Sequence, residues 1–101
     1  MRALCGRGPG LVGYFESRLY GDVWLSILPG SPHFSAGMFS WFPLYFPLRE
    51  PLPAARGDTV DVAMWRAATP QKVWYEWQVT TGRGAASPVH NPNGRSYFIG
   101  L

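Results

Sequence analysis

Apolar and polar residues alternate with a period of two along much of the chain, a pattern typical of β-strands. The alternation is longest in residues 59–67 and 71–81, which are separated by the short turn "ATP". In the second segment one face, the expected core face, holds Val73, Tyr75, Trp77 and Val79, and the other holds Lys72, Trp74, Glu76 and Gln78. The two segments therefore predict an antiparallel hairpin.

Other segments also have strand character, and the stretches between them are rich in Pro, Gly and Ser. The further strands are expected at residues 11–17, 21–27 and 96–101, with "RLYG" as the turn between the first two. Loops are expected at residues 28–37, 49–58 and 82–95, the last with a tight turn at "NG". No segment has a convincing helical stripe.

The aromatic run "MFSWFPLYFPL", residues 38–48, contains two prolines within an extended pattern. Pro43 and Pro47 each lack a backbone N–H, so the segment cannot be a fully paired central strand. An edge strand or a bulged strand is expected instead. Together these patterns predict an all-β fold, a partial β-barrel or sandwich of about six antiparallel strands, preceded by a loose leader over residues 1–11.

Composition narrows the partners that this chain can have. A formal net charge of +3 comes from scattered arginines rather than from a basic block, so we expect no direct nucleic-acid contact. No apolar stretch approaches the ~20 residues that cross a bilayer, so no membrane partner is expected. The single cysteine, Cys5, cannot form an internal disulfide, and the first residues lack the apolar centre of a signal peptide; both favour an intracellular protein.

Motifs for self-sufficient catalysis are missing from the sequence, so no catalytic residue is predicted. "CGRGPG" lacks the strand and helix of a phosphate-binding loop, and "RGD" at residues 56–58 reads as turn chemistry. His33 and His90 lie in separate loops without partners at metal-ligand spacing, so we expect solvated histidines and no metal site.

The five tryptophans are the remaining candidates for a function. Trp77 is expected in the core, and Trp74 in an interface or a second packed layer. For Trp41, which follows a loop and a small hydroxyl residue, core and binding pocket are equally supported. An exposed tryptophan face attracts a guanidinium group by stacking and cation–π interaction.

Several long stretches occur in a fixed order: "GYFES", "GMFSWFPLYFPL", "VWYEWQVT" and "HNPNGRSYFIGL". On these motifs residues 12–101 resemble the C-terminal end of the type II protein arginine methyltransferases, which make symmetric dimethylarginine. Residues 1–11 have no counterpart in the resemblance. It implies a C-terminal segment of the family's β-barrel, which also serves in oligomerisation.

The resemblance also implies roles for three residues. Phe39, Ser40 and Trp41 match the Phe-Ser-Trp loop of the type II enzymes, in which the tryptophan stacks on the substrate arginine. Ser40 would replace the bulkier histidine of the asymmetric enzymes. In this family S-adenosylmethionine binds a separate Rossmann-like domain, which also carries the two glutamates that orient the guanidinium.

The chain by itself is therefore expected to bind no cofactor and to be inactive. The resemblance implies arginine-containing protein substrates for the full-length enzyme, association with itself or with that enzyme, and a cytoplasmic and nuclear location. A different class of function stays open, a stand-alone, non-catalytic β interaction module. A tryptophan-lined carbohydrate-binding module is disfavoured by the missing secretion signal and disulfides.

Overall fold

A computed structural model describes residues 2–3 and 6–101 of the chain, with side chains from Gly10 onward. Strands dominate this part of the chain. They are β1 (Arg2–Ala3), β2 (Gly6–Gly13), β3 (Glu16–Tyr20), β4 (Val23–Ser26), β5 (Leu44–Ala54), β6 (Val60–Ala68), β7 (Lys72–Thr81) and β8 (Ile99–Gly100), with one 3-10 turn at Pro92–Gly94. Among the described residues no helix is long and apolar enough to span a membrane.

The strands form three antiparallel sheets, in the orders β1-β2-β5, β3-β4 and β6-β7-β8. Six of the strands in the described residues are longer than two residues. The predicted all-β class with antiparallel pairing is confirmed. The sheets stay open within residues 2–3 and 6–101, so this part of the chain forms no closed barrel.

The β6–β7 hairpin is the longest regular pairing, and it confirms the hairpin predicted from alternation. Its register runs without a break from Val60 opposite Thr81 to Ala68 opposite Val73. The turn closes with the Thr69 N–H donating to the carbonyl of Lys72 at 2.8 Å. Long alternating strands with a short connection leave few other registers that bury the same face.

Strand β5 is both an edge strand and a bulged one. Among the strands of the described residues it pairs with β2 alone, and the register shifts between Gly8, opposite Leu52, and Gly10, opposite Pro47. The strand extends to Ala54, so the expected loop over residues 49–58 begins later than predicted. Proline is tolerated in an edge strand because one row of its backbone N–H groups pairs with no neighbouring strand.

Part of the segment expected to be a loose leader lies in the first sheet. The backbone of β2 pairs with β5 from Gly6 onward, and β1 pairs with β2. Glycine permits this close pairing, because a Cβ atom at Gly10 would lie 2.6 Å from the carbonyl oxygen of Phe46. The described residues do not include Met1, Leu4 and Cys5. The expectation of an intracellular protein, which rests partly on Cys5, therefore stays a prediction.

The β3–β4 turn is displaced from its predicted place. Arg18, Leu19 and Tyr20 continue strand β3, and the chain reverses at Gly21 and Asp22. Gly21 has a φ of 52°, a conformation that glycine adopts without strain. The predicted turn "RLYG" therefore begins too early in the chain, and only its last residue, Gly21, lies in the observed turn. The glycine, rather than the charged Arg18, determines where the chain reverses.

The core lies between the β2–β5 sheet and the β6–β7 hairpin. Its buried members are Leu11, Phe46, Trp77 and Val79. Trp77 is 8 % exposed, which confirms its predicted core position. The ring of Phe46 meets that of Trp77 edge-on at 5.3 Å, and the Trp77 indole N–H donates to the carbonyl of Pro47 at 3.0 Å. The two sheets are thus joined by both packing and a hydrogen bond.

The connection from β7 to β8, residues 82–98, is named the Asn91 loop here because that side chain holds it. Buried Asn91 donates from its amide nitrogen to the carbonyls of Tyr75, at 2.9 Å, and Tyr97, at 2.8 Å. Its amide oxygen accepts from the N–H groups of Ser96, at 2.8 Å, and Tyr97, at 3.1 Å. One side chain therefore fastens the loop to β7 and to itself.

Each of the two histidines packs its ring against a tryptophan. His90 accepts the Arg49 N–H at Nε2, at 2.9 Å, and its ring stacks on Trp77 at 5.6 Å. His33 stacks on the ring of Trp24 at 4.1 Å. The expectation of solvated histidines was therefore wrong, because neighbouring indole faces cover both rings.

Trp74 lies in a second layer, one of the two alternatives left by the sequence. Its indole N–H donates to Glu76 at 2.8 Å, and the Lys72 ammonium lies 4.7 Å from the ring centroid. Gly94 of the Asn91 loop covers the ring closely, since a Cβ atom there would lie 3.1 Å from an indole carbon. The polar face of β7 is thus covered by the loop.

Candidate functional site

The connection from β4 to β5, residues 27–43, carries the Phe-Ser-Trp motif and is named the site loop here. Its first half is held by the carboxylate of Glu16, the first residue of β3. Ser26, which is fully buried, donates to a Glu16 carboxylate oxygen at 2.8 Å, and Ser31 donates to the same oxygen at 2.5 Å. The start of the loop is therefore fixed to the β3–β4 hairpin.

These hydroxyl donors lower the pKa of Glu16 below its ordinary value. The bond from Ser31 is the larger cause and the bond from Ser26 the second, with a smaller attraction from His33. A hydrogen bond to a carboxylate stabilises its charged form, so the network and the ionised state support each other. The ionised carboxylate thus helps to hold the loop.

Backbone hydrogen bonds guide the loop onward to the motif. The Ser35 N–H donates to the carbonyl of Ser26 at 2.8 Å, which ties the middle of the loop to the end of β4. Gly37 then adopts a φ of 75°, which favours glycine, and redirects the chain. The Trp41 N–H donates to the carbonyl of Met38 at 3.1 Å, so the motif lies in a tight turn.

Within this turn the three residues of the motif have different surroundings. Phe39 is 93 % exposed and Ser40 is also exposed, whereas Trp41 is 45 % exposed. The ring of Trp41 packs against that of Phe15 with the ring centroids 4.7 Å apart and the planes tilted by 43°. Part of the indole ring therefore packs against Phe15, while a large part of the ring stays accessible to solvent.

Ser40 and Trp41 border a cavity of about 410 Å³, and Phe39 lies outside its lining. The cavity extends from the motif to the core. Its lining comes from the end of β2, the link between β2 and β3, the site loop, and strands β5, β6 and β7. The lining residues are Gly13, Tyr14, Phe15, Ser40, Trp41, Phe42, Leu44, Phe46, Met64 and Tyr75. No charged side chain lines it in the part of the chain that the structure describes.

An aromatic cavity without charges suits a flat cation with an apolar stem. A guanidinium group stacks on indole and phenyl faces, and its alkyl chain packs on apolar side chains. The accessible part of Trp41 and the hydroxyl of Ser40 stand at the rim of such a cavity. The geometry is therefore compatible with a flat cation at the rim of the cavity.

Sequence reasoning missed two features of this site. Phe15 lies within the quoted "GYFES" stretch but was not singled out, and Tyr75 was placed on the core face of β7. Phe15 contacts Trp41 and Tyr75 lines the cavity, where its ring meets that of Phe46 edge-on at 5.9 Å. The sequence offered one indication of Phe15: it stands directly before Glu16 in "GYFES", one of the motifs that carry the family resemblance.

The described residues do not form the kind of site in which a Rossmann-like domain binds S-adenosylmethionine. A Rossmann-like site needs a strand, a glycine-rich turn and the N-terminus of a helix, whereas the described residues hold only the single turn Pro92–Gly94 as helix. The described residues also contain no group of three or more His, Cys, Asp or Glu side chains that could hold a metal ion.

Comparison with known proteins agrees with the resemblance seen in the motifs. The model of the PRMT5 oligomerisation domain family matches residues 6–99. The match begins within the segment that the sequence pattern suggested was a leader, at the first residue of β2.

Curated relatives match most of this chain. Protein arginine N-methyltransferase 5 of Xenopus laevis is 55 % identical over 92 residues, which are 91 % of this chain and 14 % of the relative. Protein arginine N-methyltransferase 5 of Caenorhabditis elegans is 44 % identical over 94 residues, 89 % of this chain and 12 % of the relative.

A more distant relative extends the same pattern. Protein arginine N-methyltransferase skb1 of Schizosaccharomyces pombe is 35 % identical over 102 residues, 91 % of this chain and 16 % of the relative. The chain thus spans less than a fifth of the length of these relatives. With a family model covering residues 6–99 and relatives at these identities, the chain belongs to the PRMT5 oligomerisation domain family.

Proposed function

We propose that this chain is the oligomerisation segment of a protein arginine methyltransferase that makes symmetric dimethylarginine, and that it supplies one wall of the substrate-arginine pocket. The observation that carries the proposal is the position of Trp41, 45 % exposed at the rim of an uncharged aromatic cavity. The names of the relatives support the reaction, because each is called a protein arginine N-methyltransferase.

Trp41 is the central residue of this proposal, with Phe39 and Ser40 beside it as substrate-binding residues. Methyl transfer to a guanidinium nitrogen needs that nitrogen held in line with the methyl donor, so restraint of the flat group contributes to the rate. An indole plane restrains a guanidinium without accepting a hydrogen bond from it. The nitrogen lone pair therefore stays available for the reaction.

Ser40 supports the symmetric product in this proposal. A serine leaves more room at the rim of the cavity than the histidine of the asymmetric enzymes would. In the proposed full-length enzyme S-adenosylmethionine and the glutamates that orient the guanidinium belong to a separate domain. The chemistry that the cofactor supplies is the methyl group; the residues of this chain bind and orient the acceptor.

The test uses a chimera in which residues 6–99 replace the matching segment of the full-length Xenopus laevis relative. The chimera is expected to dimethylate a glycine-arginine-rich peptide symmetrically, measured by mass spectrometry. Trp41→Ala should lower kcat/KM by about 100-fold, the order of loss caused by a misplaced reacting group. Phe34→Ala, an exposed phenylalanine of the same loop, is the matched control and should leave kcat/KM unchanged.

Unchanged kinetics of Trp41→Ala in an active chimera would overturn the pocket assignment. Ser40→His adds a second arm and should shift the product from symmetric dimethylarginine to monomethylarginine, because the imidazole narrows the rim. A Ser40→His variant that keeps the wild-type ratio of products would contradict the role of Ser40.

A non-catalytic interaction module is the second candidate, favoured by the open edges of β5 and β6 in the described sheets. Unpaired strand edges are able to pair with another chain. Sedimentation of the purified chain, alone and mixed with the full-length Xenopus laevis relative, separates the two candidates. Association together with an active chimera supports the proposed function, whereas association with an inactive chimera supports the interaction module.

A further inference from the structure

Phe15 touches the proposed substrate-binding tryptophan from a different part of the chain. Its ring centroid lies 4.7 Å from that of Trp41, with the planes tilted by 43°. Both side chains line the same cavity. Aromatic pairs at this separation are stabilised beyond the burial of their area, so the contact favours one orientation of the indole.

Phe15 and Trp41 are held by different parts of the fold. Phe15 lies in the two-residue link between β2 and β3, and its carbonyl accepts the N–H of buried Ile27 at 2.9 Å. Trp41 lies in a turn, with a backbone N–H that donates to the carbonyl of Met38 at 3.1 Å. The phenyl ring therefore gives the indole a contact from outside its own loop.

The residue after Phe15 acts on the same loop by a different route. Glu16 accepts the hydroxyl hydrogen bonds of Ser26 and Ser31 and so fastens the start of the site loop. Phe15 contacts the side chain near the end of that loop. Two consecutive residues thus fix both ends of the segment that carries Trp41.

We propose that Phe15 is a positioning residue, which orients the indole of Trp41 for stacking on the substrate arginine. This inference rests on the proposed function, because it assigns Phe15 a task only if Trp41 binds the guanidinium. Because Phe15 contacts the indole and also lines the cavity, the test must distinguish action through Trp41 from direct contact with the substrate.

The experiment is a kinetic double-mutant cycle in the chimera described above. Phe15→Leu keeps an apolar side chain but removes the ring, and should lower kcat/KM by about three- to tenfold, the range that an aromatic pair accounts for. Phe15→Tyr keeps the ring and should keep most of the activity. Phe34→Leu, the same substitution at an exposed loop position, should have no effect.

The double variant separates positioning from a general loss of structure. If Phe15 acts through Trp41, Phe15→Leu causes no further loss in the Trp41→Ala background. An equal loss in both backgrounds, or an equal loss for Phe15→Leu and Phe15→Tyr, would overturn the inference. If Phe15→Leu does not fold by circular dichroism, Phe15→Met, with its flexible apolar side chain, takes its place in the cycle.

The two proposals fail in distinguishable ways. A Trp41→Ala variant with wild-type kinetics removes the proposed pocket and the role of Phe15 with it. A Trp41→Ala variant that loses activity beside a Phe15→Leu variant that keeps it removes the positioning role alone.

Discussion

The site loop and the Asn91 loop both carry aromatic residues between strands, but they are held in opposite ways. The Asn91 loop is fastened at its centre by one buried amide that makes four hydrogen bonds. The site loop is fastened near its beginning by Glu16, and its motif stays exposed. The first arrangement stabilises the fold, whereas the second leaves an aromatic surface free for a ligand.

The two loops differ in the burial of the side chain that holds them, Asn91 in one and Glu16 in the other. Asn91 is buried, so water competes poorly for the four hydrogen bonds of its side-chain amide. Glu16 is exposed, so water can replace the bonds that the serine hydroxyls donate to it. We therefore expect substitutions in the Asn91 loop to act on stability and substitutions in the motif to act on binding.

The largest expected effects on stability come from replacing Asn91, and Asn91→Gly is the simplest of these variants to interpret. Glycine adopts the φ of 56° found at this residue without strain, so the variant isolates the loss of the amide. The stranded carbonyl and N–H groups should lower the free energy of unfolding by about 2–4 kcal/mol. Urea denaturation followed by tryptophan fluorescence measures this difference.

Two companion variants sharpen the Asn91 experiment. Asn91→Ala should be less stable than Asn91→Gly by about 1 kcal/mol, because alanine tolerates a positive φ poorly. Ser96→Ala alters an exposed side chain of the same loop and should have no measurable effect. A change below 1 kcal/mol for Asn91→Gly would contradict the view that this amide holds the loop.

The next effect in size is expected for Ser26→Ala, in the strand that precedes the site loop. The buried hydroxyl donates to Glu16 at 2.8 Å and accepts the Leu28 N–H at 3.2 Å, so its removal should cost about 1–2 kcal/mol. Ser31→Ala removes the other donor to Glu16 at a less buried position and should cost less. Equal losses in thermal or urea unfolding would show that burial is not the deciding factor.

How far the sequence predicts this structure depends on whether a feature is local. The β6–β7 hairpin follows from long alternation, and an edge or bulged strand at β5 follows from Pro43 and Pro47. The extension of β5 through Pro51 and Pro53 is not predictable in this way, because it depends on pairing with Gly6–Gly13. Strands that form only against a distant partner carry a weak local signal.

The candidate site follows the same rule. The Phe39-Ser40-Trp41 motif was found by resemblance, and its position in a turn is consistent with Gly37 just before it. The contact of Phe15 with Trp41 joins residues far apart in sequence, and no period or spacing predicts it. The role of Asn91 was also missed, since the sequence marks "NG" as a turn but not the preceding asparagine as a buried anchor.

A smaller effect is expected when Glu16 loses its charge. Its folded pKa is lowered from an ordinary value of 4.5 by the bonds from Ser31 and then Ser26, so its contribution to stability is complete above that value. The contribution is lost as the pH falls through the lowered folded pKa. Glu16→Gln should therefore be less stable than the wild type near neutral pH, with the difference shrinking below about pH 4.5.

The control for the acid experiment is Glu50→Gln, on the exposed edge strand β5. It should follow the wild-type profile throughout. Acid should still destabilise Glu16→Gln, because the pKa of Asp58 is also lowered, first by the Ala55 N–H and then by Arg83. A stability difference between wild type and Glu16→Gln that does not change with pH would contradict the role of the ionised carboxylate.

The smallest effect on stability is expected for Phe39→Ala, in the exposed motif of the site loop. Phe39 is 93 % exposed, so its removal should change the free energy of unfolding by less than about 0.5 kcal/mol. The same substitution in the chimera should raise KM for the peptide by about threefold if the ring contacts the substrate. A large loss of stability without a change in KM would instead mean that Phe39 is covered in the folded protein, and the site loop would then resemble the Asn91 loop rather than contrast with it.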